Sequence, residues 1–172
     1  MKNKITTKRI CRAGVIAALY AALTYAFAPV AFGSFQIRPA EALCILPLFF
    51  VEAIPALYIG CMLSNLASPF FFYDVVLGSL ATLLAAICTY AIGKYVKNTP
   101  LKIFLGCLSP VFFNTLIIPF IIVVLCGGGA GYETLFVAYM VNAFSIFVTE
   151  TACVYGLGIP LYFTMKKIKK AE

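Results

Sequence analysis

Three clusters of basic residues interrupt an otherwise apolar chain, and they constrain its fold more than any other feature. The chain of 172 residues contains 13 Lys and Arg, and all of these except Arg38 fall in the clusters. Short loops rich in Lys and Arg stay on the cytoplasmic side of a membrane, so we expect all three clusters on one side. The clusters are Lys2, Lys4, Lys8, Arg9 and Arg12; Lys94, Lys97 and Lys102; and Lys166, Lys167, Lys169 and Lys170.

The composition between the clusters is that of a protein embedded in a bilayer. Hydrophobic residues make up 63% of the chain and charged residues only 11%, whereas soluble domains carry about 25% charged residues. The net charge of +7 does not indicate a nucleic-acid partner, because the cations flank apolar runs instead of forming one basic face. We expect a single transmembrane domain over residues 1–172.

The number of spans depends on residues 41–68, which form either one tilted helix or two short ones. One helix would place Lys94 and its neighbours opposite the N-terminal cluster, whereas two helices place all three clusters on the same side. Glu52 and Pro55 mark the turn, because proline suits the first turn of a helix. We therefore predict an all-α integral membrane protein with six transmembrane helices, short spans 2 and 3, and cytoplasmic N- and C-termini. The other spans are 13–32, 74–93, 103–125 and 135–165, with outer loops at 33–40 and 126–133.

Span 2 is too short to cross a bilayer as an ordinary helix. Residues 41–51 cover about 16 Å at the rise of an α-helix, and the hydrocarbon core is about 30 Å thick. We therefore expect spans 2 and 3 to form a shallow hairpin and part of the preceding loop to dip inward. Irregular backbone at that depth is tolerated where it is buried in protein or lines a watery cavity.

Arg38 is the one cation on the outer side, three residues before Glu41. One interpretation is an interfacial ion pair at the start of span 2, which contributes little in water. The other is a gate over a binding cavity. We favour the gate, because a lone outward Arg breaks the charge bias of the chain.

Two carboxylates lie where polar residues follow a helical face. Asp74 begins a stripe on span 4 that continues with Gly78, Thr82, Ala85 and Thr89, and such a stripe must face protein or a cavity in a bilayer. Asp74 itself is either a helix N-cap or a ligand contact. Glu150 lies well inside span 6, and an intramembrane carboxylate is a functional candidate unless it is a structural, hydrogen-bonded residue. Together with nearby amides, these acids predict an outward-facing pocket for a planar heterocycle with N–H donors.

Span 1 carries a ridge of small residues at four-residue spacing. Ala13, Ala17 and Ala21 form the ridge, with further Gly and Ala beside it. Small residues let another helix approach closely. The approaching helix belongs either to the same chain or to a partner.

The most specific segments resemble one family of transport proteins. They read RPAEAL at 38–43, PLFFVEAIPALYIGCMLSNL at 47–66 and DVVLGSLATLLAA at 74–86. These segments resemble the QueT family of predicted queuosine-precursor transporters. Members are similar to the substrate-binding (S) components of energy-coupling factor (ECF) transporters.

The resemblance implies a binding subunit without chemistry of its own, located in the plasma membrane of a prokaryotic cell. It implies capture of a 7-deazaguanine, such as queuine or its aminomethyl or cyano precursors, and assembly with a transmembrane coupling protein and two cytoplasmic ATPases. The alanine ridge at 13, 17 and 21 would be the docking surface. A guanine-like edge presents two adjacent N–H donors, which a carboxylate accepts in a bidentate way, while amides read the carbonyl and ring nitrogens. The expected substrate-binding residues are Gln36, Arg38, Glu41, Asn65, Asp74, Asn114, Asn142 and Glu150, with no catalytic residue, metal or cofactor.

Three other functions compete with this interpretation. The chain has no nucleotide-binding GxxxxGK[ST] motif, so the energy for transport must come from partners or from an ion gradient. A stand-alone secondary carrier would use Glu150 or Asp74 as a proton relay. An intramembrane enzyme is disfavoured, because the chain contains no His to serve as a base. A scaffold or sensor would bind a small molecule without moving it.

Overall fold

A computed structural model of the chain describes residues 6–32 and 36–171, except for the side chains of residues 170 and 171. Lys2, Lys4, residues 33–35 of the outer loop and the Lys170 side chain therefore lie outside the described part. All regular secondary structure in the described part is helical. The α-helices are α1 (Thr7–Ala26), α2 (Ala28–Ala31), α3 (Ala53–Asn65), α4 (Phe71–Tyr73), α5 (Ser79–Tyr95), α6 (Thr99–Phe120) and α7 (Leu135–Ala171).

The segment Pro39–Leu48 is a 3-10 helix that runs through the middle of the molecule. Its residues from Ala40 to Pro47 are all buried. At about 2.0 Å per residue a 3-10 helix is longer than an α-helix of the same residue number, so ten residues extend about 20 Å. A short element was predicted here, but its expected length assumed the rise of an α-helix. The 3-10 geometry partly makes up the missing length.

Helix α3 follows after a turn and packs closely against α1. It begins at Ala53, directly after Glu52, with Pro55 in its first turn, as predicted. A Cβ added at Gly60 would lie 2.9 Å from the backbone oxygen of Ala17 and from Cβ of Tyr20. Only glycine fits this contact, so the ridge on α1 is used at least in part by a helix of the same chain.

Helices α5 and α6 are joined by side chains that bond to backbone carbonyls. Pro110 has no N–H, so the carbonyl of Gly106 loses its helical partner. The Thr89 hydroxyl donates to that carbonyl oxygen at 3.3 Å, and the Ser109 hydroxyl donates to the carbonyl of Ala85 at 2.9 Å. The polar stripe of span 4 therefore faces protein, as predicted.

Two helical turns among the described residues are wider than α-helical turns. They are π-helical segments at Asp74–Gly78, between α4 and α5, and at Ile121–Leu125, which continues α6. The helix that carries Asp74 begins at Phe71, and the residue before it is Phe70. Of the two alternatives for Asp74, the N-cap does not hold, because Asp74 lies inside a continuous helical run.

The helix ends gather at two opposite ends of the molecule. At one end, a crevice that we call the basic crevice is lined by Arg9, Arg12, Phe49, Phe50, Val51, Glu52, Tyr90 and Lys169. These residues come from α1, the turn before α3, α5 and α7. The first and third basic clusters therefore contribute to the same end of the molecule. Two short helices at 41–68 require this placement of the two clusters, while the side of the membrane is a prediction.

Three helical runs are long and apolar enough to cross a bilayer. They are Phe71–Tyr95, Thr99–Leu125 and Leu135–Lys169, and the shorter apolar elements are Pro39–Leu48 and Ala53–Asn65. Among the described residues the architecture is thus all-helical with bilayer-length helices. The count of six spans stays a prediction.

Candidate functional site

A cleft of about 680 Å³ opens at the end opposite the basic crevice. It lies between α7, the residues that follow α2, and the segment that joins α6 to α7. Aromatic and small polar side chains share its wall, a combination that suits flat molecules with polar edges. The lining residues are Phe32, Gln36, Phe70, Ile122, Gly128, Tyr132, Val141, Asn142, Phe144, Ser145, Val148 and Thr149.

A much smaller cavity of about 10 Å³ adjoins the cleft. It has room for about one water molecule. Four polar residues line it together with Ile118 and Ile146. The polar residues are Gln36, Arg38, Asn114 and Glu150. Gln36 lines both spaces, so the open cleft and this inner cavity are neighbours.

Glu150 is the carboxylate of the inner cavity. It extends from α7, and its side chain is only 3% exposed. The Asn114 amide of α6 donates a hydrogen bond to its Oε1 atom. No described residue donates to Oε2. One oxygen of Glu150 is therefore available to a ligand.

Arg38 brings a positive charge to the same cavity. Its side chain is 7% exposed, its Nε donates to the carbonyl of Ala31 at 3.4 Å, and its guanidinium carbon lies 5.2 Å from the centre of the Phe32 ring. None of the described acids lies within 4.0 Å of it, so the ion pair with Glu41, the alternative to a gate, is not formed. The loop dips inward at Arg38, as the shortness of span 2 predicted.

Glu41 is fully buried and its oxygens are already occupied. The Tyr20 hydroxyl donates to Oε1, and the Cys44 thiol donates to Oε2 at 3.0 Å. Glu41 lines neither the cleft nor the inner cavity. It ties α1 to the 3-10 segment, directly behind the residues that line the inner cavity. Sequence reasoning missed Tyr20, although it lies three residues after Ala17 on the face that packs inward.

Asp74 and Asn65 form a second buried group beside the site. The Ser68 hydroxyl bonds to the Asp74 carboxylate, and the Asn65 amide donates to the backbone oxygen of Asp74 at 2.7 Å. The Oδ1 atom of Asn65 is buried without a partner. Both residues are predicted ligand contacts, but they line neither space. Their bonds instead fix the π-helical turn against α3.

Asn142 lines the open cleft, and Ser145 and Thr149 continue the polar wall along the same helix, α7. The Asn142 amide donates to the carbonyl of Ala138 at 2.9 Å, and Thr149 donates to the carbonyl of Ser145 at 3.0 Å. Their acceptor oxygens therefore stay available to a ligand. The structure thus brings five predicted residues to the two spaces, namely Gln36, Arg38, Asn114, Asn142 and Glu150.

The second π-helical turn shapes the far wall of the cleft. The amide of Gly128 donates to the carbonyl of Ile122 at 2.8 Å, and a Cβ at Gly128 would lie 2.8 Å from the same oxygen. The segment after α6 can fold back this tightly only with glycine. This contact explains why one residue of the triple glycine at 127–129 is glycine. The three were predicted to lie in an outer loop.

The fold and the cleft together define a helical protein with bilayer-length apolar helices and a candidate small-molecule site at one end. The family model of the QueT transporter matches residues 10–167, so the chain belongs to the QueT transporter family. This confirms the resemblance found in the sequence.

One curated relative is the queuosine precursor transporter QueT of Lactococcus lactis subsp. cremoris (strain MG1363). It is 37% identical over 84 residues, which cover 48% of this chain and 49% of the relative. The match therefore spans about half the length of each protein. No solved structure matches the chain.

Proposed function

We propose that this chain is the substrate-binding membrane subunit of an ATP-driven ECF-type importer and captures a queuosine precursor from outside the cell. The observation that carries the proposal is the grouping of Glu150, Asn114, Arg38 and Gln36 beside an aromatic cleft. The relative from Lactococcus lactis is named as a transporter of such a precursor. The substrate class is a 7-deazaguanine, such as queuine or its aminomethyl or cyano precursors.

The chemistry of a guanine-like ring suits these residues. Its two adjacent N–H donors pair with a carboxylate, and Glu150 has an oxygen that accepts no hydrogen bond from a described residue. Amides of Asn114, Gln36 and Asn142 supply the donors and acceptors that a ring carbonyl and ring nitrogens require. Phe32 and Tyr132 of the cleft wall offer aromatic faces to the ring.

The inner cavity is too small to hold the ring itself. The ring therefore occupies the cleft, and its polar edge points toward Glu150. Gln36 lines both spaces, and we expect its side chain to move when the substrate binds. This makes the segment of Gln36 and Arg38 the gate that the lone outward Arg suggested. Glu41, Asn65 and Asp74 hold the surrounding helices in place instead of contacting the substrate.

The topology follows from the same proposal. Six spans cross the plasma membrane, the basic crevice faces the cytoplasm and the cleft faces the exterior. The energy comes from a transmembrane coupling protein and two cytoplasmic ATPases, since this chain has no nucleotide-binding motif. Of the docking residues, Ala13 and Ala21 are half-buried and stay accessible from one side, whereas Ala17 is covered by α3.

Uptake by reconstituted vesicles tests this assignment. The full chain is inserted into proteoliposomes with or without the coupling protein and ATPases, and accumulation of radiolabelled queuine is followed. The proposal predicts uptake only when the partners and internal ATP are present. Uptake by the chain alone, driven by a proton or sodium gradient, would overturn it in favour of a secondary carrier.

A further inference from the structure

The basic crevice has no part in substrate binding, because it lies at the end opposite the cleft. Its volume is about 360 Å³, within the range of about 300–1,000 Å³ that is usual for small-molecule sites. Four separate elements build it: α1, the turn before α3, α5 and α7. A crevice lined by four elements has a defined shape, unlike a patch of surface lysines.

The crevice contains more positive than negative charge. Arg9, Arg12 and Lys169 line it, and Glu52 is its one carboxylate among the described residues. Arg12 Nη1 lies 2.8 Å from Glu52 Oε1, so this acid is already paired. No described acid lies within 4.0 Å of Arg9 or Lys169. Two cations are thus left for an anion in a partly enclosed space, where their field is stronger than on an open surface.

Aromatic rings hold two of the cations in place. The Arg12 guanidinium carbon lies 4.0 Å from the centre of the Phe50 ring, and Lys169 Nζ lies 6.0 Å from the centres of both Phe49 and Phe50. Lys169 also donates to the backbone oxygen of Phe49 at 3.4 Å. Cations resting on aromatic faces are positioned before an anion arrives.

Exposed apolar side chains flank the crevice on two sides. Ile10 follows Arg9 on α1 and is 61% exposed, and Ile168 precedes Lys169 on α7 and is 49% exposed. Cations beside apolar helix surfaces are what the headgroup and the acyl chains of one phospholipid molecule contact together. An acidic segment of a partner protein would match the cations but not this apolar flank.

We propose that the basic crevice binds the phosphate of an anionic phospholipid headgroup. Arg9 and Lys169 contact the phosphodiester, while Arg12 stays paired with Glu52. The Tyr90 side chain, which also lines the crevice, lies where its hydroxyl can donate to a phosphate oxygen. The acyl chains then run along the apolar surfaces of α1 and α7.

Native mass spectrometry of the full chain, released from detergent with added lipid, tests the site. The probes are phosphatidylglycerol and phosphatidylcholine, which share the phosphodiester but differ in net charge. The crevice variant is Arg9→Gln with Lys169→Gln. The matched control is Lys97→Gln with Lys102→Gln, which removes the same charge from the loop between α5 and α6, outside the crevice.

The site predicts that phosphatidylglycerol binds the wild-type chain in preference to phosphatidylcholine. The crevice variant binds phosphatidylglycerol about 25-fold more weakly, because each basic residue near an anionic lipid contributes about a factor of five. The control stays within about twofold of wild type. Equal losses in both variants, or unchanged binding in the crevice variant, would overturn the site.

Two further outcomes would also overturn it. If soluble glycerol phosphate displaces the bound lipid at millimolar concentration, the crevice is a free-phosphate site. If the crevice variant keeps its lipid but no longer assembles with the coupling protein, the crevice is a protein docking surface.

Discussion

Glu150 is a buried carboxylate with a single described donor, Asn114. A buried carboxylate is costly, and an oxygen without a donor is available to a ligand. Both oxygens of Glu41 are occupied. Asp74 also has one described donor, Ser68, but it lines neither the cleft nor the inner cavity. Of the buried acids at this end, Glu150 is therefore the one that combines an oxygen without a described donor with a place in the lining of a cavity.

Glu150→Gln is expected to weaken substrate binding by well over tenfold. An amide replaces one acceptor with a donor, so it opposes one of the two N–H groups of a guanine-like edge. Calorimetric titration of the purified protein with queuine measures the change. Glu52→Gln, which removes an acid from the opposite end, is the control and should leave the affinity unchanged. Equal affinities for Glu150→Gln and wild type would remove Glu150 from the site.

Tyr20→Phe is expected to destabilise the protein by about 1–3 kcal/mol, because the buried Glu41 loses a donor. Thermal unfolding in detergent measures the loss. Tyr25→Phe is the matched control, since the Tyr25 hydroxyl also donates, to the carbonyl of Leu63 at 2.7 Å, but in an exposed position. The control should cost less than about 1 kcal/mol. Equal stability of Tyr20→Phe and wild type would show that the Glu41 bond does not hold α1 in place.

Several individual residues of the site could be predicted from the sequence. Glu150 and Asn114 stand out because polar groups are rare inside apolar runs. Tyr20 did not stand out, because a tyrosine in an apolar span is usually a packing or lipid-facing residue. The ion pair of Arg38 and Glu41, the alternative to a gate, is not formed for a geometric reason. Arg38 precedes the 3-10 segment with φ −114° and ψ 88°, so its side chain does not share a helical face with Glu41.

At the scale of the element, the contact of α1 with α3 decides how closely the first helices pack. Gly60→Ala is expected to destabilise the protein by about 1–3 kcal/mol, because the added Cβ would lie 2.9 Å from the Ala17 backbone oxygen. Gly14→Ala is the matched control on α1. A Cβ at Gly14 meets nothing within 4 Å, so this change should stabilise the helix by up to about 1 kcal/mol.

Denaturation of both variants in the same detergent measures the difference. Equal effects of the two substitutions would contradict the close α1–α3 contact. The result also bears on docking, because a partner cannot use the part of the alanine ridge that α3 already covers.

The sequence predicted the helices better than their geometry. The stripe of Gly78, Thr82 and Thr89 indicated a protein-facing side of α5, since small and polar residues recur at helical spacing. The 3-10 segment and the π-helical turns were not predicted. A ten-residue apolar run has the same pattern in either helix type, and a π-helical turn of five residues is too short to shift the periodicity. The hydrophobic pattern of a sequence indicates which residues are buried, but not which backbone carbonyl each amide bonds to.

At the scale of the whole molecule, the two ends have different chemistry. One end collects cations around Glu52, and the other collects amides, aromatic rings and Glu150. In the proposed topology, the positive-inside rule assigns the first end to the cytoplasm, and the second end opens to the exterior, where a scavenged precursor would be met. The polarity of the chain was accessible from the sequence, because the basic clusters are local features. A polar pocket was predicted as well, but the aromatic wall of the cleft was not, since it combines residues that lie more than 100 positions apart.

The proposed cleft opens outward, binds a 7-deazapurine and lies opposite a cytoplasmic basic end. Labelling of intact cells with a membrane-impermeant thiol reagent tests both parts at once. Cysteines replace, one at a time, Val141 in the cleft and Lys97 in the loop between α5 and α6, in a chain whose cysteines that are not buried, Cys11, Cys88 and Cys126, are Ser. We predict that Val141→Cys is labelled from outside and protected by queuine, and that Lys97→Cys is labelled only after permeabilisation. Labelling of Lys97→Cys in intact cells, or no protection of Val141→Cys by queuine, would contradict this arrangement.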